Sequence, residues 1–249
     1  MSGLVPDIFF VTFSSLRRRG GEVYLCSRKK EMRKMYTTYL FDLDGTLLDT
    51  AQDLADAVNH IVTKYGYPAC SYQQVVDATG NGARELIHGC LPAGVAAEEF
   101  DRILEEYKVY YEAHSCIKTA PYEGILPLLK ALQDKGCKVG IVSNKPHGAV
   151  VELAAKFFPG IPAFGEQAGI PRKPAPDMVD AALAALGAEK AGAVYVGDSE
   201  VDVATAKNAA MPLISVSWGF RSRELLESCG AVQIADSVAE VLHFPVDKG

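Results

Sequence analysis

From residue 36 onward the chain alternates two apolar patterns. Short unbroken runs recur in YTTYLFDL (36–43), CKVGIVSN (137–144), AVYVGDS (193–199) and PLISVSWG (212–219). Runs of this length, rich in β-branched and aromatic residues and ended by polar residues, predict strands buried on both faces. Between them lie amphipathic stretches: GILPLLKALQDKG, with Gly136 as a natural C-terminal stop, APDMVDAALAALG and DVATAKNAA. Two further short strands are expected near Phe164 and Val232. Apolar strands alternating with helices predict an α/β fold, a parallel sheet covered on both faces. Ligands of such sheets sit at the carboxyl ends of the strands.

The rhythm breaks between residues 51 and 119. AQDLADAVNHIVTKYG, NGARELIHGCL and AAEEFDRILEEYKVYYEAHS all carry helical spacing, with no strand pattern among them. The expected organisation is therefore a core of residues 37–50 and 120–249 with an all-helical cap, 51–119, inserted after Asp49 and leaving near Pro121. Such a cap over the strand ends would admit substrate and exclude water. Tyr107, Tyr110 and Tyr111 read as packing residues of its last helix. His88 and His114 read as cap surface or packing residues.

Residues 1–36 differ from the rest. PDIFFVTFSSL is apolar and RRRGGEVYLCSRKKEMRKM strongly basic, the reverse of the order in a secretory signal. This segment reads as a leader outside the fold, and Met32 or Met35 as an alternative start.

Composition excludes more than it selects. The 249 residues are 49% hydrophobic and 22% charged, with a net charge of −6. The acidic balance argues against general nucleic-acid or anionic-membrane binding. Six scattered cysteines, Cys26, Cys70, Cys90, Cys116, Cys137 and Cys229, show no CxxC pair, which disfavours a zinc site or disulfide framework and suits a reducing cytoplasm. No apolar run approaches the roughly 20 residues needed to span a bilayer.

The chemistry lies at the strand ends. The first strand runs into Asp42 and Asp44, the second into Ser143 and Asn144, the third into Asp198 with Asp202 beyond, and Lys173 lies in RKPAPD between them. In a parallel sheet these ends converge. Asp42 placed directly after Tyr39, Leu40 and Phe41 is poorly explained as a turn residue. Together the groups suit phosphoryl transfer. Asp42 can attack phosphorus, and Asp44 can protonate the leaving oxygen and then activate water. Asp198, helped by Asp202, can hold magnesium, and Lys173 and the Ser143 hydroxyl can hold phosphate oxygens. In the helical segment, the Gly80-Asn81-Gly82 turn followed by Arg84 could grip an anion. Lys145 and His147 read equally as a solvated pair at a helix start or as substrate contacts.

DLDGTLLDT, IVSN, RKPAP and VGDSEVD, in this order, resemble the four motifs of the haloacid dehalogenase superfamily from about residue 37 to the C-terminus. The resemblance implies a Rossmann-like doubly wound core with a helical cap. It implies Asp42 as nucleophile, Asp44 as general acid and base, and Ser143 and Lys173 as phosphate binders. Magnesium would lie between the Asp42 side chain, the Asp44 backbone carbonyl and Asp198. The family's dehalogenases lack the second aspartate, which this chain has as Asp44; an acid there suits phosphate-ester hydrolysis. Thr46 is common in the family's phosphatases, and the residues after Thr50 tilt against its sugar-phosphate mutases. TGNGARELI, SNKP and SWGF are similar to stretches of the family's bacterial phosphoglycolate phosphatases.

The expected function is thus a magnesium-dependent cytoplasmic phosphatase, monomer or homodimer. Its substrate would be a small phosphorylated metabolite, 2-phosphoglycolate first, gripped by Thr46, Gly82, Arg84 and Asn144 besides the catalytic groups. The alternatives are a phosphatase of sugar phosphates, nucleotides or pyrophosphate, or a phosphomutase. A phosphorylated signalling receiver also uses aspartates and a lysine, but lacks the DxDGT motif and the helical insertion.

Overall fold

The computed structural model describes residues 15–19, 22–26 and 35–245. The chain divides into two compact units, Met1–Arg33 and Lys34–Gly249. In the first, β1 (Ser15–Arg19) pairs antiparallel with β2 (Glu22–Cys26). The rest of the expected leader lies outside the described residues, except its end: Tyr36 is 1% exposed and belongs to the core of the second unit.

The second unit is built on a six-stranded parallel sheet. Its strands are β3 (Thr38–Phe41), β6 (Lys138–Pro146), β7 (Ala163–Glu166), β8 (Ala193–Gly197), β9 (Leu213–Val216) and β10 (Ile234–Ala235). They lie in the order β10-β9-β8-β3-β6-β7. The four long apolar runs of the sequence become β3, β6, β8 and β9, and β3 sits at the centre, hydrogen-bonded to β6 and β8. The expected strand near Val232 falls two residues later; Val232 itself is 92% exposed.

Helices flank the sheet as the amphipathic stretches require. The core helices are α5 (Ile125–Asp134), α6 (His147–Phe157), α7 (Asp177–Ala185), α8 (Glu200–Asn208) and α9 (Arg223–Ser228). One apolar cluster joins Tyr39, Phe41, Ile141 and Val196 of the sheet to Leu128, Leu132 and Leu153 of α5 and α6. A second joins Leu40, Val142 and Tyr195 to Met178, Val179 and Leu183 of α7 and Ala206 of α8. Successive side chains of a strand point to opposite faces, so adjacent β3 residues feed different clusters.

Between residues 50 and 120 stand four helices: α1 (Ala51–Lys64), α2 (Tyr72–Ala78), α3 (Gly82–Cys90) and α4 (Ala97–His114). They share their own apolar cluster, including Val58, Ile61, Ile87, Ile103 and Tyr107. Helix α2 was not expected, although its start is a capping box: the Ser71 hydroxyl accepts from the Gln74 amide and the Gln74 side chain from the Ser71 amide. The two connections to the core are tied together. Residues Leu48–Asp49 (β4) pair antiparallel with Ala120–Pro121 (β5). The buried Asp53 carboxylate accepts from the amides of Ile117, Lys118 and Thr119 and from the Thr119 hydroxyl, at 2.8–3.0 Å. No described helix is long and apolar enough to cross a membrane.

Candidate active site

The carboxyl ends of β3, β6 and β8 meet under the helical segment. Asp42 leaves the central strand with its amide still bonded to the Val196 carbonyl at 2.9 Å, so its position is fixed by the sheet. Its Oδ1 accepts from the Leu43 amide at 2.7 Å and lies 3.0 Å from the Lys173 ammonium. Oδ2 has no hydrogen bond among the described residues. Lys173 is 1% exposed and also reaches Asp202 Oδ1 at 2.9 Å and the Tyr195 hydroxyl at 3.0 Å.

Burial sets the electrostatics. It pushes the Asp42 carboxyl well above the usual carboxylate range; Lys173 opposes this, and Asp202, Asp198 and Asp44 add to it. Burial pushes Asp198 up to about 7, and Asp202 adds to it. For Lys173, burial opposes the charge, but Asp202 and Asp42 outweigh it and hold the ammonium well above its ordinary value. Carboxylates this close and this dry call for a cation. One oxygen each from Asp42, Asp198 and Asp202 lies within 4.8 Å of the others. Of these, the Asp42 and Asp198 carboxylates offer hard oxygens of the kind that hold magnesium.

Asp198 is held for such a role. Its Oδ1 accepts from the Thr46 hydroxyl at 2.8 Å and its Oδ2 from the Phe220 amide at 2.8 Å. Gly45, at φ +80, presses so close that any side chain there would run into the Asp198 carboxylate. Thr46, expected to touch substrate, therefore spends its hydroxyl on Asp198. Asp202, expected to help hold metal, has both oxygens engaged: Oδ1 with Lys173, and Oδ2 with the Ser199 amide at 3.1 Å and hydroxyl at 2.6 Å in the capping box of α8. Its geometry makes it the partner that keeps Lys173 charged beside Asp42.

Ser143 and Asn144 lie on β6 at the same edge. The Ser143 Oγ accepts from the Lys145 amide at 3.3 Å, and its own hydrogen has no acceptor among the described residues. The Asn144 side chain donates to the Lys173 carbonyl at 2.9 Å and to the Gly80 carbonyl at 3.1 Å, tying β6 to the turn before α3. Gly82, at φ +82, lets that turn approach: a Cβ there would lie 3.1 Å from Arg172 Nη1 and 3.3 Å from the Asn144 carbonyl.

These residues enclose a cavity of about 220 Å³. Asp42, Asp44, Asp198, Ser143 and Asn144 form its floor, and Gly82, Leu86, Tyr107 and Tyr111 belong to the helices above, with Gly80 in the turn before α3. Arg84 is not among the lining residues. It pairs with Asp101 at 2.8 Å, with both side chains more than half exposed, and stacks on Phe100. The helical periodicity of α3 turns Arg84 outward while Ala83 and Leu86 face in.

Two other cations line the cavity: Lys145, which the sequence left open between a solvated neighbour and a substrate contact, and Arg221, which it did not single out. Lys145 is buried, lies 2.6 Å from Asp44 Oδ1, and stands over the Tyr111 ring at 4.7 Å from its centroid. Arg221 is 6% exposed; it pairs with Glu200 and donates to the Val76, Asp77 and Thr79 carbonyls at the end of α2. Its position right after SWGF was the available signal for Arg221, as SNKP was for Lys145.

Comparison with known proteins agrees with this geometry. Residues 39–216 match the haloacid dehalogenase-like hydrolase family. The phosphoglycolate phosphatase of Caulobacter vibrioides is 34% identical over 82% of this chain and 88% of its own length. That of Rhodospirillum rubrum is 34% identical over 84% and 92%. A crystal structure from Lactobacillus delbrueckii subsp. bulgaricus, under a provisional phosphoglycolate phosphatase name, superposes with a TM-score of 0.78. It is 38% identical and covers 84% of this chain and 98% of that one. The parallel sheet, the aspartates at its carboxyl edge and these similarities together make the chain a member of the haloacid dehalogenase-like hydrolases, one that resembles the phosphoglycolate phosphatases among them.

Proposed function

We propose that this hydrolase is a phosphatase that uses magnesium to hydrolyse 2-phosphoglycolate through an aspartyl-phosphate on Asp42. The observation that carries the reading is the juxtaposition of Asp42, paired with Lys173, and Asp198, with Asp44 beside them, at the floor of one small cavity. The relatives named above support the substrate.

The Asp42 and Asp198 carboxylates and the Asp44 backbone carbonyl would hold the metal. When bound, magnesium supplies positive charge that lets a carboxylate approach a phosphate dianion. The Leu43 amide and Lys173 both engage Asp42 Oδ1, which leaves Oδ2 as the attacking atom. Oδ2 bonds to phosphorus as the ester oxygen departs with a proton from Asp44. A water then attacks phosphorus and gives its proton to Asp44, and Asp42 is released with inorganic phosphate. The Ser143 hydroxyl donates to an equatorial oxygen, the kind of preorganised contact that dominates such catalysis, and Lys173 beside Asp42 offsets the negative charge of the site. Asp202 and Tyr195 hold Lys173 in place. The helices over the strand ends keep bulk water from the intermediate.

The cavity of about 220 Å³ has room for a small ester. The test is a panel of phosphomonoesters ranked by kcat/KM, with magnesium and with excess chelator. The expected result is 2-phosphoglycolate at the head of the ranking and no turnover in chelator. A hexose phosphate or nucleotide ahead of it overturns the substrate, and full activity in chelator overturns the metal.

A further inference from the structure

We infer that Lys145 is the specificity-determining residue of this site, the cation that takes the carboxylate of the leaving group. This rests on the reading of the chain as a phosphoglycolate phosphatase, and it assigns a contact that reading leaves open.

Three cationic residues line the cavity: Lys108, Lys145 and Arg221. Lys108 is 41% exposed in its side chain and paired with Glu105 at 2.7 Å. Arg221 is spent on Glu200 and on three carbonyls of α2 and its following turn. Lys145 alone is both buried and under-used. An ammonium has three N–H donors. One goes to Asp44 at 2.6 Å, and the Tyr111 ring faces the group at 4.7 Å. No other hydrogen bond to its Nζ occurs among the described residues, so a donor remains for the cavity.

The position of that donor follows from the chemistry. Asp44 must reach the ester oxygen to protonate it. In 2-phosphoglycolate a single methylene separates that oxygen from the carboxylate. A cation in contact with Asp44 is therefore beside the carboxylate whenever the ester oxygen is beside Asp44. The side chain of Lys145 is only 4% exposed and the ring above it is fixed by stacking on Tyr107, at 5.6 Å between centroids. An ordered, dry ammonium discriminates more strongly than a solvated one, because an uncharged leaving group would leave it without its second anion. The ligand class is thus an ester whose leaving group carries a carboxylate one carbon from the oxygen.

The test compares kcat/KM for 2-phosphoglycolate and for ethyl phosphate, which lacks the carboxylate, in the parent enzyme and in Lys145→Met, Lys145→Gln and Lys145→Arg. Both substrates slow in the neutral variants, because Asp44 loses its partner. The expected result is a further fall in the ratio of the two by about ten- to a hundredfold, partly recovered in Lys145→Arg. Circular dichroism selects the neutral variants that fold, and either one suffices. A parent that prefers 2-phosphoglycolate, with a ratio unchanged in a folded neutral variant, overturns this assignment alone and leaves Lys145 as a positioning residue for Asp44. A parent that turns over ethyl phosphate as fast as 2-phosphoglycolate overturns the substrate reading itself, and the Lys145 assignment with it.

Discussion

At the scale of single residues, the proposed mechanism separates groups that act on the phosphoryl centre from groups that hold them. Asp42 offers one free oxygen because its other is fixed by the Leu43 amide and Lys173. Asp42→Asn keeps the shape and loses the nucleophile, so turnover should fall by at least about a thousandfold. Acid-quenched protein should carry no label from a ³²P-labelled substrate. Residual activity within tenfold of the parent would rule out the covalent route. Arg84 belongs to neither group. An exposed ion pair such as Arg84–Asp101 contributes about 0–1 kcal/mol. Arg84→Ala should therefore leave kcat/KM for 2-phosphoglycolate within about twofold, and a loss confined to that substrate would return Arg84 to the site.

At the scale of elements, the connection between the four helices and the sheet depends on one carboxylate. Asp53, in the first turn of α1, is 3% exposed and satisfies three consecutive amides and a hydroxyl on the returning strand segment. The short pairing of β4 with β5 lies beside it. Asp53→Ala leaves the buried Thr119 amide and hydroxyl without their acceptor, a cost on the order of 3 kcal/mol. For a unit of this size, that lowers the melting temperature by roughly 2–4 °C for each kcal/mol. Thermal unfolding followed by circular dichroism measures it; an unchanged midpoint would mean that water replaces the carboxylate. Helix α2 is held separately by Arg221, from the segment after β9, so the helical segment has a second tie to the core.

At the scale of the molecule, every group assigned to the site lies in the unit Lys34–Gly249, and the family match begins at residue 39. A chain begun at Met35 keeps Tyr36, which packs against Tyr39 edge to face at 6.1 Å between ring centroids. Such a chain should retain kcat/KM and melt within about 2 °C of the full chain, about 1 kcal/mol or less. A larger drop would show that residues 1–34 contribute to the stability of the catalytic unit.

Sequence alone determined the strands and what stands at their ends. An unbroken apolar run can only be buried, and a parallel sheet brings successive strand ends to one edge, so Asp42, Ser143 and Asp198 converge whatever the details. The short β4–β5 pair and the shift of β10 were not legible, because two-residue strands carry no period to read. Tertiary structure decided the partners. Thr46 and Asp198 are 152 positions apart, Lys145 and Asp44 101, and Arg221 and Thr79 142. No local pattern encodes such pairings. Whether a lysine after a strand is a solvated neighbour or a buried cation depends on what is packed over it, here Tyr111 from a helix that the sequence gives no means to orient. The same packing turned Arg84 to the outside and gave Asp202 to Lys173, because a helix buries the face its apolar stripe selects and each buried charge takes the counter-charge left within reach.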